Sequence, residues 1–273
     1  MSVLQLFEAG DAVWTVEEIA QRLGVSVRTA YRTVAELTQN GFLDPGSGEG
    51  YVLGPAFIRF DRIIRQSDPL IRFASPGMAE LLAAYGRRAA VLLCRRFRDC
   101  VMCVHSLESE PSRPMASYER GVGMSPFRGA PAKIMLSFLQ DRVLRGIYLR
   151  NEHAIRASGI ESWQQFRDVL QDIRKDGFVV TKSEIGKSRV GIAAPILRGD
   201  QILASLSLVV EPGARADIER LSAVVKRVAA DISAKLTAAD TVGSPSKGRA
   251  VANRKQTRTG PRPSAVTLRR RGT

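Results

Sequence analysis

The stretch Thr15 to Leu37, TVEEIAQRLGVSVRTAYRTVAEL, constrains the fold more than any other part of the chain. Thr15 and Glu18 make the T-x-x-E pattern of a capping box, in which two residues satisfy each other's orphan backbone N–H groups and start a helix. Val16, Ile19, Ala20 and Leu23 recur at helical spacing and form its inner face. Gly24 stops it, because glycine takes up the left-handed backbone of a tight turn without steric cost. Ser26 can cap a second helix, whose Ala30, Val34 and Leu37 face inward, and Asn40-Gly41 ends it. Val3, Leu4, Leu6 and Phe7 suit one face of an earlier helix. FLD and YVLG then read as short strands joined by the turn PGSGEG.

Helix, sharp turn, helix and β-hairpin make a winged helix-turn-helix pattern. With the inward face fixed, Ser26, Arg28, Thr29, Tyr31 and Arg32 lie outward, with Gln39 farther along. These are side-chain types that contact phosphates and base edges, and Arg28 and Arg32 suit either role. The plainer alternative is a helical hairpin with solvated polar residues.

Charge alone would not place a polyanion here. The chain carries a formal net charge of +14, yet Met1 to Phe60 holds four arginines (Arg22, Arg28, Arg32, Arg59) against seven acids (Glu8, Asp11, Glu17, Glu18, Glu36, Asp44, Glu49). Much of the surplus sits in Asp240 to Thr273, with nine Lys/Arg and one Asp. That segment is Ser, Gly, Pro, Thr and Arg with few apolar residues. It cannot bury enough surface to offset chain entropy, so it is expected to be a disordered basic tail. Such a tail attracts nucleic acid without regard to sequence. The expected division of labour is that the stretch from Val25 to Leu37 sets the site, while the tail and a second subunit supply attraction.

Four zones follow: residues 1–54, a winged helix-turn-helix domain; 55–88, a helical linker; 89–239, an alternation of strands and helices suited to a sensor-like domain; and 240–273, the tail. In the linker, Phe57, Ile58, Phe60, Ile63 and Ile64 have helical spacing. Asp68-Pro69 opens another helix with Leu70, Ile71, Phe73, Met78, Leu81 and Leu82 on its apolar side. Either a second subunit or the chain's own second domain can cover these faces. In the third zone, AAVLLCRR and CVMCVHSLE read as strands, and MASYER as a third. Helices are expected at Pro131–Phe138 and Asp141–Leu149, and after Ser162 up to Gly177. FVVTKSE, RVGIAAPIL and QILASLSLVV are strands, with Arg198-Gly199-Asp200 as a hairpin turn and a closing helix over Ala214–Ala239. The fold class expected is α+β with an antiparallel-leaning sheet.

Several chemistries are argued against. Apolar residues make up 44% of the chain, enough for a real core. No apolar run approaches the roughly 18 residues of a membrane span, and MSVLQLFEAGDAVW lacks the pattern of a secretory signal. Three cysteines imply no disulfide framework, and a reducing cytoplasm is the simplest home. Cys100 and Cys103 form C-x₂-C, but in a strand i and i+3 point to opposite faces. With no fourth cysteine, buried thiols beside Cys94 are the better reading than zinc. His105 ends a strand and His153 sits in a polar loop, outside any Ser/His/Asp or HExxH pattern. ERGVGMSP has turn glycines but no phosphate-loop lysine. No catalytic constellation, metal site or cofactor is expected. A ligand pocket is: FRGAPAKIM puts Arg128 and Lys133 around a helix N-terminus, which favours an anion. Arg189, Ser205 and Ser207 lie across the sheet, the serines on one strand face at i and i+2.

Taken together, TVEEIAQRLGVSVRTAYRTVAELTQNGFL, YVLG, APAKIML, DGFVVTKSE and GIAAPILRGDQILASLSL resemble the IclR-type transcriptional regulators, over about Leu4 to Ala239. The resemblance implies an N-terminal winged helix, a dimerising linker helix and a C-terminal effector-binding domain of GAF-like α/β build. It implies a homodimer or homotetramer on double-stranded promoter DNA that represses or activates catabolic genes in response to a small organic acid. Carried over by position, the family's pocket falls on Ala130, Pro131 and Ala132 before Lys133, on Gly191, and on Ser205 and Ser207. Three positions depart from the family pattern: Ala132 stands for a common glycine, Ser188-Arg189 for glycine and an apolar residue, and Gly191 for a cysteine or serine. An inward Arg189 would suit a carboxylate, including that of an aromatic acid. Two other functions compete. An enzyme built on residues 89–239 lacks an acid/base or nucleophile cluster. A nonspecific architectural nucleic-acid binder driven by the tail would not need the well-capped recognition helix.

Overall fold

Local capping sets the N-terminal helices. Ser2 precedes α1 (Val3–Leu6), Thr15 precedes α2 (Val16–Leu23) and Ser26 precedes α3 (Val27–Gln39). The structure, a computed structural model, describes residues 2–9, 12–46, 48–85, 88–109, 119–186, 188–211 and 215–243. At α2 the Thr15 amide donates to Glu18 Oε2 at 2.8 Å and the Glu18 amide returns a bond to Thr15 Oγ1 at 3.3 Å. Gly24 takes φ 67°, the left-handed region, and turns the chain into α3. Leu6, Ile19, Ala20, Ala30, Val34 and Leu43 are buried together as the core of this unit. β1 (Leu43–Pro45) pairs antiparallel with β2 (Tyr51–Leu53) to form the wing, and Trp14 bridges Tyr51.

Gly54 closes the wing onto α4 (Ala56–Ser67), its amide donating to the Phe42 carbonyl at 2.8 Å. Phe42 then packs on α4 by stacking with Phe60 and meeting Phe57 edge-on, each at 5.7 Å between ring centres. Elsewhere α4 keeps apolar side chains in solvent, with Ile58 75%, Ile64 51% and Ile63 49% exposed. Asp68 ends α4 and caps α5 (Pro69–Tyr85) by accepting the Leu70 amide at 2.8 Å.

The second unit is a six-stranded antiparallel sheet in the order β5-β4-β3-β8-β7-β6. Its strands are β3 (Ala89–Phe97), β4 (Cys100–Glu108), β5 (Gly123–Met124), β6 (Val179–Lys182), β7 (Val190–Arg198) and β8 (Gln201–Val210). The two-residue alternation of side chains sends each central strand into two cores. Val91 and Leu93 of β3, Ile192 and Ile196 of β7, and Leu206 and Leu208 of β8 pack with α5 and α9 (Arg215–Gly243). Leu92 and Cys94 of β3 and Ala193 of β7 face α6 (Ala130–Leu136), α7 (Asp141–Arg156) and α8 (Trp163–Asp176) on the other side. Gly77 of α5 lets α9 approach, since a Cβ there would lie 2.8 Å from Val228.

The result is an α+β protein with an N-terminal helix-turn-helix unit and a C-terminal layered sheet. Three sequence expectations need correction. α7 runs to Arg156 rather than Leu149, because Ile155 continues the buried stripe of Leu144, Ile147 and Tyr148. His153 therefore lies on the last turn of a helix, not in a loop. The closing helix extends to Gly243 rather than Ala239. Of MASYER, residues 115–118 lie outside the described residues; the strand on the edge of β4 is Gly123–Met124. The expected disordered tail lies outside them from residue 244 onward. No described helix is long and apolar enough to cross a membrane.

A methyl group at Gly54 would fall on the Gly41 carbonyl, where backbone on both sides leaves no room to yield. Gly54→Ala should lower urea stability of the N-terminal unit by about 1–3 kcal/mol, the usual cost of overpacking. An unchanged unfolding midpoint would contradict this close approach.

Candidate functional site

α3 has one face pinned and one face free. Ala30 and Val34 are buried, Leu37 is half-buried, and Ser26, Arg28, Thr29, Tyr31, Arg32 and Gln39 are exposed. Two of these side chains are occupied in the cap: Ser26 Oγ accepts the Thr29 amide at 3.2 Å and lies 2.9 Å from Thr29 Oγ1. Arg28 and Arg32 form no ion pair among the described residues, and Tyr31 is 63% exposed. Glu18, the acid nearest in sequence to this turn, is turned back onto Thr15, and its bonds to the Thr15 amide and hydroxyl hold its carboxyl below the usual range. The acids of this unit thus do not neutralise the α3 arginines.

A cavity of about 40 Å³ opens between the sheet and the start of α6. Ala130, Pro131, Arg189, Gly191 and Ser207 line it, joined by Leu92 and Thr181. Ser207 Oγ is fully buried with no hydrogen-bond partner among the described residues, and so is Ser205 Oγ one turn of the pleat away. An unpaired buried hydroxyl costs about 1–3 kcal/mol, so Ser207 at the cavity wall is a donor and acceptor awaiting a partner. Arg189 reaches Glu211 at 3.2 Å with a quarter of its side chain exposed. Gly191 leaves the space: a Cβ there would stand 3.2 Å from Thr181 Oγ1 and 3.4 Å from Ala130.

Two expected pocket residues sit elsewhere. Ser205 pairs across the strand with Cys94 and does not reach the cavity. Lys133 does not line the cavity; its Nζ meets Glu184 Oε1 at 2.5 Å, and Glu184 stands in the wall between the cavity and the depression behind α6. Glu184 also accepts the Gly129 amide at 2.9 Å, and its carbonyl accepts Arg128 Nη2 at 2.5 Å. The Glu184 carboxylate therefore answers Lys133 and the helix start, and its backbone carbonyl answers Arg128, where sequence reasoning offered all three to an external anion. Lys133, Arg128, His153, Phe127 and Phe166 instead line a larger open depression of about 830 Å³ behind α6. Sequence reading missed Thr181, Glu184 and Leu92. The signal for Glu184 was the acid at the end of TKSE, facing a lysine with no other partner in the motif.

The cysteines lie in β3 and β4. Cys94 and Cys103 are buried and Cys100 is half-buried. Among the described residues no cluster of three or more His, Cys, Asp or Glu could hold a metal ion. His105 lies 3.3 Å from Ser75 Oγ; burial, then the charges of Arg65 and Arg120, hold its pKa below the usual imidazole range.

Residues 64–234 match the family described as "Bacterial transcriptional regulator IclR C-terminal", and residues 1–52 match an HTH domain. No curated protein sequence matches significantly. Among solved structures, an IclR transcriptional regulator from Alicyclobacillus acidocaldarius superimposes with TM-score 0.69 at 24% identity, covering 85% of this chain and 94% of that one. An IclR homolog from Microbacterium hydrocarbonoxydans, complexed with 4-hydroxybenzoate, gives 0.67 at 19% identity, over 86% and 96%. The Thermotoga maritima IclR gives 0.59 at 22%, over 86% and 96%. At these identities the structures establish shared fold, and the family match spans more than half the chain. With its helix-turn-helix unit and layered C-terminal domain, the chain belongs to the IclR family of bacterial transcriptional regulators.

Proposed function

We propose that this protein reads promoter DNA through α3 and alters that binding when a small organic acid enters the cavity beside Gly191. The observation that carries the DNA half is the free face of α3, where Arg28, Tyr31 and Arg32 stand exposed on a helix fixed from behind by Ala30 and Val34. Ser26 and Thr29 join them at the phosphate backbone, where a helix start and its capping hydroxyls are suited to contact. The apolar strip of α4, with Ile58, Ile63 and Ile64 in solvent, supports a second copy as its cover, giving a homodimer or a tetramer of such dimers. Domain limits near residues 54, 88 and 239 are part of this reading, with α9 running on to Gly243. The cytoplasm, at the nucleoid, is where such a protein would act, and the basic tail adds attraction to any duplex.

The effector half rests on Ser207, Thr181 and Arg189 around one cavity, with Ala130, Pro131 and Gly191 shaping it. Arg189 supplies the positive charge for a carboxylate by exchanging its surface partner Glu211. Ser205 and Lys133 act from behind the wall, Lys133 by anchoring Glu184. Size selects the acid. An apolar cavity of about 150 Å³ holds benzene, whereas this one is about 40 Å³. A short-chain acid fits with less rearrangement than an aromatic one.

Gel shifts against an enriched binding site test the first half. Arg28→Ala and Arg32→Ala should each weaken binding roughly tenfold, on the scale of about 1–3 kcal/mol for a good base contact. Removing residues 243–273 should lower affinity for random duplex while preserving sequence preference. If tail removal abolished all binding and the arginine changes did nothing, an architectural role would replace the regulatory one.

Thermal melting with a panel of acids tests the second half. Acids of two to four carbons should raise the melting temperature of the wild type, and Gly191→Leu, which fills the cavity, should remove that shift. Stabilisation by hydroxybenzoates alone would contradict the size argument. A shift that survives Gly191→Leu would place the site elsewhere.

A further inference from the structure

Cys94 and Cys103 belong to no part of the regulatory reading, yet they are directly opposed in the antiparallel register of β3 and β4, beside the bulge at Leu93/Cys94. Opposed residues in such a pair have Cα atoms about 4.5–5.5 Å apart. A disulfide spans about 4.4–6.8 Å. Opposed side chains share a face of the sheet, and these two are buried in the same core behind α6. Cys100 is set apart: it pairs with Phe97 and its thiol donates to the Phe97 carbonyl at 3.0 Å. From this juxtaposition we propose that Cys94 and Cys103 form a reversible redox modification site, a dithiol that a small hydroperoxide converts to an intrachain disulfide.

The two thiols have unlike chemistry. A hydrogen bond from Cys94, aided by the Arg120 charge and opposed by burial, holds the Cys103 thiol below its usual range. The same bond, together with burial, pushes Cys94 well above it. Cys103, whose thiol also donates to the His105 carbonyl at 3.3 Å, lies on the strand bridged to Arg120 at the sheet edge, and this places it as the attacking sulfur with Cys94 as the resolving one. The Cys103 thiolate attacks one oxygen of hydrogen peroxide and the O–O bond breaks. The sulfur becomes a sulfenic acid, and the departing hydroxide takes the thiol proton and leaves as water. The Cys94 sulfur then attacks the sulfenic sulfur, the S–O bond breaks, and the second hydroxide leaves as water with the Cys94 proton. Two thiols and one peroxide give one disulfide and two waters. Full burial of both residues favours a small neutral oxidant over a bulky disulfide such as oxidised glutathione.

The position gives such a bond consequence. Leu92, two residues before Cys94, lines the cavity and pairs with Ser207. On the other side, Cys103 bridges Arg120, whose guanidinium holds Asp61 of α4 at 2.5 Å. A cross-link here stiffens the strand pair between the cavity wall and the linker ion pair.

The test uses the full-length reduced protein, hydrogen peroxide in one arm and oxidised glutathione in the other, with intact mass and peptide mapping as readouts. The peroxide arm should lose 2 Da, link the Cys94 and Cys103 peptides, leave Cys100 open to alkylation and revert with dithiothreitol. Cys100→Ser should respond as the wild type does, and Cys94→Ser should not lose 2 Da. The glutathione arm should leave the Cys94 and Cys103 peptides unlinked and unmodified, whatever Cys100 takes up. A link through Cys100, a stable oxygen adduct on Cys103 without cross-linking, or thiols that react only after denaturation would each overturn the proposal.

Discussion

Everything in the larger domain hangs on three strands that are buried on both faces. β3, β8 and β7 are neighbours, and their alternate side chains enter separate cores, one against α5 and α9 and the other against α6 to α8. A register slip of one residue would exchange those sets. The alternation is what puts Ser207 and Gly191 on the α6 side while Leu206, Leu208 and Ile192 fill the opposite layer. Small residues on that side leave the cavity, and the apolar residues on the other side hold its floor rigid. Glu184 fixes the remaining wall through Gly129, Lys133 and Arg128.

Among the described residues, Arg98 at the β3–β4 turn meets Glu8 of the N-terminal unit at 3.9 Å, and the other ion pairs run to the linker helices. Asp61 of α4 accepts from Arg65 on its own helix and from Arg120 in the loop before β5, and Arg120 also donates to the Val104 carbonyl at 2.6 Å. Arg95 meets Asp68 at the junction of α4 and α5. These are partly solvated contacts that can exchange at modest cost. α4 thus stands between the β4–β5 edge, through Arg120, and the wing, through Phe42. The acidity of the N-terminal unit is compatible with this arrangement: Glu18 is spent on its cap, and the α3 arginines face the other way.

Much of this was legible in sequence because it is local. Thr15, Glu18, Gly24 and Ser26 announced α2, the turn and α3, and the period-two pattern of GIAAPIL and LASLSLVV announced the strands. Ala130, Pro131, Gly191 and Ser207 were placed near one another through a resemblance, Arg189 by its charge across the sheet, and these five residues line one cavity. Lys133 and Ser205 were not separable from them by spacing alone. Lys133 is drawn away by Glu184, which is 51 residues distant. The register of β3 on β8, which sets Ser207 opposite Leu92 and Ser205 opposite Cys94, decides which serine meets the cavity. His153 was misplaced because polar RNEH hides a helical stripe that only Ile155 completes. Long-range pairing, not propensity, was the missing information.

The central claim is that one oriented helix in a symmetric pair reads sequence. Selection of binding sites from a random duplex pool by the full-length protein tests it most directly. The account predicts an enriched two-fold-symmetric motif, with half-sites separated by about 10–10.5 base pairs or a multiple of that, as two copies of a helix-turn-helix require. Retention of the pool without any enriched sequence would contradict it.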